Sequence, residues 1–485
     1  MTPIPANDAP FLAMEIVRVT KGHWSHTVDK GRSVRGISTD SRSVRPGEVF
    51  VAISGDRFDG HAFLDAAVER GATVLVVQSG RAAPRAFAEV IEVSDPLVAL
   101  GDLAREHLRK WKAETGGRTL LITGSAGKTT TRVLAHALLA QRGSVLATQG
   151  NLNNRIGLPM MALLLNERHS YAVLEAGMSV RGEIEELSRI AEPDVGLITN
   201  CALAHAEGVG GTRKDVAHEK GALFQALNSS GVAIANKDDS ECMRQLIRAQ
   251  CASNVTFGRA SDSNYRLSGR ANRGTLSAIE VERSWEEARD KLSFDLSLLG
   301  EAAALDAVAA LAAADALLRS PLSVSEVHAA MATVKPMEGR ARIETLADGT
   351  LLIDDAYNAN PLSMAAAIQL LGEVASGARP DGARTGVVVG DMKELGPASL
   401  IEHQKLGERL RDAKVDWIVA CGELCKITAA VLPPSSVRWV ATASEACDAA
   451  MERSRPGDAI LVKGSNSLGL SKVVEAFRVD RGVRR

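Results

Sequence analysis

The segment Thr123-Gly124-Ser125-Ala126-Gly127-Lys128-Thr129-Thr130 constrains the fold more than any other part of the chain. It follows an apolar run at residues 119–122 and precedes a stretch that puts Leu134, Ala137 and Leu138 on one helical face. A strand that turns through glycines directly into a helix aims backbone N–H groups at one anion, and the helix dipole adds to the attraction. Gly124 and Gly127 allow close backbone approach to phosphates. Lys128 supplies a point charge, and Thr129 carries the hydroxyl that ligates Mg²⁺ in such loops. The spacing G-x-x-G-K-T is shorter than the standard loop by two residues, because Ile122 stands where a first glycine would fall. An ordinary strand-to-helix turn with a chance lysine is the bland alternative. Strand context together with G-K-T-T favours an ATP phosphate site made of Gly124, Ser125, Ala126, Gly127, Lys128, Thr129 and Thr130.

A chain of 485 residues has room for roughly three domains. The pattern around the loop is α/β on both sides. Residues 36–77 read as a βαβ unit: a strand at 48–53, a Gly-bounded loop at 55–60, a helix at 61–70 ended by Gly71, and a strand at 72–77. A connecting helix at 97–111 and the linker Thr115-Gly116-Gly117 follow. Apolar strands at 119–123, 171–174 and 195–199, alternating with helical stretches, call for a parallel sheet covered on both faces. Residues 302–318 predict a buried, Ala-rich helix, and Pro336 marks a second boundary. Strands at 351–353, 386–389, 417–420 and 459–462 predict a small doubly wound third unit. The expected domains are 1–113, 114–335 and 336–485.

Lys and Arg total 57 against 59 Asp and Glu, a net charge of −2, which leaves no electrostatic footprint for nucleic acid or an anionic membrane. Aromatics are 4%, too few for base-stacking platforms. The longest apolar candidate for a membrane span, 302–318, is interrupted by Asp306 and Asp315, and Glu15 and Arg18 break the only apolar run near the amino terminus. Six scattered cysteines form no disulfide framework, and Cys421-x-x-x-Cys425 reads as two reduced core thiols. The expectation is a soluble cytoplasmic protein.

Four further positions carry chemistry. Glu175 closes the apolar run 171–174, at the strand end where open parallel sheets place ligands, and could hold Mg²⁺; alone, it would as often be a solvated strand end. His205 lies in the loop after 195–199, where spacing by itself favours a surface or satisfied histidine. Lys220 reads from spacing as a solvated helix lysine. Asp354-Asp355 follow the strand 351–353 and suit nucleotide or metal work, although an Asx-turn has the same composition.

Together the segments at 39–63, 123–131, 150–159, 174–179, 204–210, 219–224, 353–364, 390–396 and 461–467 resemble the Mur ligases, the cytoplasmic amide-bond enzymes of peptidoglycan synthesis. They span nearly the whole chain in the family's order. The resemblance implies an α/β, three-domain architecture with a central P-loop parallel-sheet ATPase domain and a Rossmann-like C-terminal domain. G-N-L-N-N, D-D-A-Y-N-A-N-P and G-D-M-K-E-L-G point to the member that adds D-Ala-D-Ala to UDP-MurNAc-tripeptide, with ATP and Mg²⁺ as cofactors and a monomer expected.

By the same resemblance, Thr129, Glu175, His205 and Lys220 as a carbamate would hold magnesium, and Lys128, His205 and Lys220 would be catalytic. Thr39, Asp40, Ser41, Arg42, Asp59, Gly60, His61, Asn151, Asn153 and Asn154 would bind the UDP-sugar peptide. Asp355 would approach the nucleotide, and Tyr357 and Asn358 the dipeptide. One departure stands out. Where the family reads G-R-H-N-x-x-N-A, this chain has Gly300-Glu301-Ala302-Ala303-Ala304-Leu305-Asp306-Ala307, so Ala302 and Ala303 replace side chains directed at ATP. A folylpolyglutamate-type ligase and a degenerate, non-catalytic homologue are the alternatives. The UDP-sugar-like first segment opposes the former, and intact Gly127, Lys128, Glu175, His205 and Lys220 oppose the latter.

Overall fold

Three sheets of five or more strands follow one another along the chain, with two-stranded ribbons at Pro10–Leu12 with Ser33–Arg35 and at Ser54–Gly55 with Phe58–Asp59, in a computed structural model that describes residues 3–27, 29–55, 58–81, 88–286, 288–378 and 382–483. The first has five strands in the order His23–His26, Glu89–Val93, Val74–Gln78, Val49–Val51 and Ile37–Ser38. Val49–Val51 and Val74–Gln78 are parallel neighbours, which is the expected βαβ unit. Its helix is shorter than the spacing predicts: a single 3₁₀ turn, Gly60–Phe63, leads into Leu64–Glu69. Gly71 stops it at φ +103°, where a Cβ would lie 2.8 Å from Pro46 Cα. Asp56 and Arg57 of the predicted loop lie outside the described residues.

The connecting helix runs Pro96–Thr115, capped by Asp95 at its start and by Gly116 at φ +70°. It ties the first unit to the central one. Lys112 Nζ reaches Asp194 at 2.7 Å, and Arg105 reaches Glu192 at 2.6 Å.

The central sheet has nine strands, in the order Val145–Ala147, Tyr171–Glu175, Arg118–Thr123, Val195–Ile198, Val232–Asn236, Ser253–Gly258, Tyr265–Arg273, Leu276–Trp285 and Ala288–Leu296. Neighbours are parallel through Tyr265–Arg273, as expected. The last two strands, which the sequence pattern did not mark, extend the sheet as an antiparallel hairpin meander. Their residues alternate between buried and open positions, as a sheet with one covered face requires. Helix Glu301–Leu318 covers that face. It is buried almost throughout its length, and its alanines let it pack closely on helix Lys128–Leu139. The phosphate loop thus sits at the carboxyl end of a central strand, between strands whose order switches around it.

The third sheet has six strands, in the order Arg342–Thr345, Leu351–Asp355, Ala459–Lys463, Thr385–Gly390, Trp417–Cys421 and Val437–Val440. All but the first are parallel. Asp354 and Asp355 end their strand rather than following it. Cys421 and Cys425 are buried free thiols. Among the described residues no helix is long and apolar enough to cross a membrane.

Candidate active site

The phosphate loop is stitched shut on one side and open on the other. Ser125 N–H donates to Asn200 O at 3.0 Å and Ala126 N–H to Asn200 Oδ1 at 2.9 Å. Ser125 Oγ donates to Ala202 O at 2.7 Å. These groups of Ser125 and Ala126 are therefore committed to the loop at residues 200–202. The first-turn N–H groups of Lys128, Thr129 and Thr130 have no carbonyl partner among the described residues, as at any helix start. Gly127 caps that helix at φ +84°, a conformation that favours glycine. A Cβ there would meet Asp306 Oδ1 at 2.2 Å. Lys128 Nζ donates to Gly124 O at 2.7 Å, so its ammonium arches over the loop, and burial holds its pKa below the usual lysine value.

Glu175 is 2% exposed, accepts from Thr129 Oγ1 at 3.1 Å and Asn153 Nδ2 at 2.9 Å, and forms an ion pair with Arg132 Nε at 3.5 Å. It is not a solvated strand end. Thr148 Oγ1 accepts the Glu175 N–H and fixes its backbone.

Lys220 departs furthest from the reading by spacing. It lies on helix Arg213–Gln225 and is 2% exposed, not solvated. Among the described residues its ammonium has only the sulfur of Met178, at 3.8 Å, as a hydrogen-bond neighbour. Burial, with the Lys128 charge adding to it, pushes its pKa down to about 7. A buried cation without an oxygen partner is costly, whereas the neutral amine is close at hand near neutral pH.

The third unit closes over the loop. Asn360 Nδ2 donates to Ser125 O at 3.1 Å. Asp355 Oδ2 pairs with buried Lys463 at 2.6 Å, and Asn358 O accepts from the same Nζ at 2.9 Å. Burial nonetheless raises the Asp355 pKa. The Arg340 guanidinium stacks 4.2 Å from the centre of the Tyr357 ring, and its charge acts on Lys128, Arg132, Asp306 and Asp355. His205 Nδ1 contacts Glu394 Oε2, so its ring is held from the third unit. The contact between the central and third units thus brings near one another a phosphate loop, a buried carboxylate, a lysine without an oxygen partner among the described residues and an arginine of the third unit.

The Mur ligase middle domain matches residues 122–314, the Mur ligase glutamate ligase domain 339–466, and the Mur ligase family catalytic domain 33–108. The chain belongs to the Mur ligase family. It is 32% identical over 467 residues to the UDP-N-acetylmuramoyl-tripeptide–D-alanyl-D-alanine ligase of Bacillus subtilis, covering 95% of this chain and 96% of the relative. With the Escherichia coli enzyme of the same name it shares 34% over 453 residues, 91% of this chain and 93% of the relative. Among solved structures, MurF from Acinetobacter baumannii superposes with a TM-score of 0.85 at 28% identity, covering 97% of this chain and 99% of that one. MurF from Thermotoga maritima in complex with ADP gives 0.79 at 26%, covering 92% and 97%.

Within this Mur ligase the residues expected to bind the UDP-sugar peptide divide into groups. Asp40 and Arg42 form a bidentate pair on the surface after strand Ile37–Ser38, with Thr39 and Ser41 beside them. Asp59 accepts from Ser54 and His61. Both His61 ring nitrogens have partners, because Nε2 also accepts the Gln78 N–H at 3.0 Å and ties the unit together beside Gly60. Asn153 Nδ2 donates to Glu175 Oε1, and Asn154 Oδ1 accepts the N–H groups of Ile156 and Gly157 at the start of helix Gly157–Ala162. Asn151 is exposed nearby.

Residue types and spacing did not single out Arg132, Asn200, Arg340, Glu394 or Lys463. The available signals were the segments G-D-M-K-E-L-G and L-V-K-G-S-N-S, which hold Glu394 and Lys463. Asp391, His403 and Cys425 also converge, but each is satisfied. His403 Nδ1 donates to Ser399 O and Nε2 accepts the Met392 N–H, while Asp391 accepts from Cys425 N–H and Lys393. That cluster braces the loop at residues 391–396.

Proposed function

We propose that this chain is an ATP-dependent ligase that joins D-alanyl-D-alanine to UDP-N-acetylmuramoyl-tripeptide in cytoplasmic peptidoglycan synthesis, serving cell-wall growth, cell shape and division. Residues 1–113 bind the UDP-linked substrate, 114–335 bind ATP, and 336–485 bring the dipeptide. The observation that carries this reading is the seating of Asn360 on Ser125 O, which sets the Asp355–Asn358 segment of one unit against the phosphate loop of another. Relatives of that name, matched over nearly their whole length, support the choice of substrates.

A carboxylate is a poor electrophile, and transfer of the γ-phosphoryl group makes the tripeptide's terminal carboxylate an acyl phosphate. The dipeptide amine attacks its carbonyl carbon, and phosphate leaves from the tetrahedral adduct. Lys128 and the first-turn N–H groups face the charge that moves between the β and γ phosphates, where fixed donors are worth most. Arg340 adds a second cation from the opposing unit. Closure converts a three-body encounter into a positioned one.

The residues present fit a magnesium ion. The Thr129 hydroxyl and the buried Glu175 carboxylate are hard oxygen donors, and His205 adds an imidazole. Lys220 in its ammonium form does not fit, but its lack of an oxygen partner and its accessible neutral amine suit a carbamate, which would turn a cation into an anionic ligand. Bound magnesium would neutralise phosphate charge there.

Phosphate release with each substrate omitted in turn tests the function. Release is expected only when ATP, UDP-MurNAc-tripeptide and D-Ala-D-Ala are all present. Equal turnover with a folate and glutamate would overturn the assignment.

A further inference from the structure

The loop at residues 391–396 meets the loop after strand Val195–Ile198 in a way that no substrate contact explains. Glu394 Oε2 contacts His205 Nδ1, and Glu207 N–H donates to Glu394 O at 3.3 Å. His205 and Glu394 both hold left-handed backbone, at φ +54° and +63°. For residues other than glycine that conformation is uncommon and persists where surroundings over-determine it. Gly396, at φ +56°, lies so close that a Cβ would be 3.2 Å from Glu207 Cα.

Both loops are anchored to their own units. Asp391 and Lys393 fasten one to the third sheet, through Cys425 N–H and Ser465 Oγ. The other is sewn to the phosphate loop through Ala202 and Ser125, whose N–H and Oγ groups exchange bonds at 2.9 and 2.7 Å. The carboxylate of Glu394 therefore travels with the third unit, and the ring it holds travels with the phosphate loop.

We propose that Glu394 is a positioning residue through which closure of the third unit orients His205 as a metal ligand. Its carboxylate accepts the Nδ1 proton, and that tautomer leaves the lone pair on Nε2 as the ring's acceptor for a cation. A histidine that ligates through one nitrogen and donates from the other to a carboxylate is held in orientation and made more basic. Here the carboxylate comes from another unit, so a full ligand set and a closed cleft form together. This rests on the reading of His205 as a magnesium ligand.

The test uses Mn²⁺ as the probe, titrated by electron paramagnetic resonance into the full-length, ADP-loaded protein and its Glu394→Ala, Glu394→Gln and His205→Ala variants. Glu394 has a half-exposed side chain, so its substitution leaves the core intact. Glu394→Ala is expected to weaken Mn²⁺ by about 10-fold or more, and to raise the magnesium concentration for half-maximal turnover while the KM for UDP-MurNAc-tripeptide holds. Glu394→Gln keeps an acceptor for Nδ1–H and is expected to recover most of the affinity. Equal losses in the Ala and Gln variants overturn the acceptor role. Wild-type affinity in Glu394→Ala with a loss in His205→Ala overturns the proposal and leaves His205 a ligand. Wild-type affinity in both variants overturns the reading of His205 as well.

Discussion

Two buried charges on the central unit have opposite surroundings. Asp315, on helix Glu301–Leu318, is fully buried and saturated: Tyr265 Oη donates at 2.9 Å, Arg283 Nη1 at 3.0 Å and Leu322 N–H at 2.8 Å. Lys220 is also buried and, among the described residues, has one sulfur neighbour. The first lies against the antiparallel end of the sheet, far from any strand end that opens on the cleft. The second lies beside Lys128 and the His205 loop. Folding alone selects for satisfied buried charge, because an unpaired one is expensive. A charge left unsatisfied where the units meet marks a group whose partner arrives with chemistry.

Breaking the saturated site should have the larger energetic effect. Asp315→Ala takes the acceptor from the Tyr265 hydroxyl and the Leu322 N–H and the counter-charge from Arg283, although Arg283 keeps Leu322 O at 2.9 Å and Asp290 at 2.5 Å. The expected loss is about 3 kcal/mol, near the low end for a broken buried pair. Urea unfolding of the central unit reads it, and turnover per folded molecule should stay near wild type. A loss under about 1 kcal/mol would place this network with surface ion pairs instead.

The bare site should behave the other way round. Lys220→Met is expected to cut turnover by about 100-fold or more, some 2.7 kcal/mol of transition-state stabilisation, with no loss of stability. The methionine removes a buried amine that makes no hydrogen bond to oxygen. Lys128→Ala should match it in turnover at saturating ATP, since its charge acts on the moving phosphoryl group. Wild-type turnover in either variant would remove that residue from the chemistry.

The contrast was only partly legible in the chain. The phosphate loop and the strand-end position of Glu175 followed from local pattern, because glycine geometry and apolar runs are local properties, whereas the strand before Asp355 runs two residues further than its apolar run. Lys220 did not follow. Its helix is buried along most of its inner and lateral faces, with Glu219, Lys220 and Gly221 all covered, so no polar stripe identifies a solvent side. Asp315 showed only as an interruption of an apolar run, since its partners lie 50 and 32 residues away. The contact between His205 and Glu394 spans 189 residues and joins two units, beyond the reach of any spacing rule. The second partner of His61, a backbone N–H on a neighbouring strand, lay outside local pattern too.

The smallest effect separates the two sites by the sign of their pH dependence. The Lys220 pKa falls from its ordinary 10.5 to about 7 on folding, through burial first and Lys128 second. Between those values the unfolded chain binds a proton that the native chain does not, so stability rises with pH across the window. Below about pH 7 both states hold the proton and the burial penalty is fully present. Asp315 behaves in the opposite sense. Burial raises its pKa from 3.8 to about 6, so the native chain binds the extra proton and stability falls as pH rises from about 4 to 6. Lys220→Met should therefore melt above wild type by a few degrees at pH 6, with the lead shrinking toward pH 10. The scans are to be run in CO₂-free buffer, because bicarbonate would modify the neutral amine and add a second source of stability. A melting difference that stays flat from pH 7 to 10 would show that Lys220 carries the same charge folded and unfolded, and the contrast with Asp315 would then be one of geometry alone.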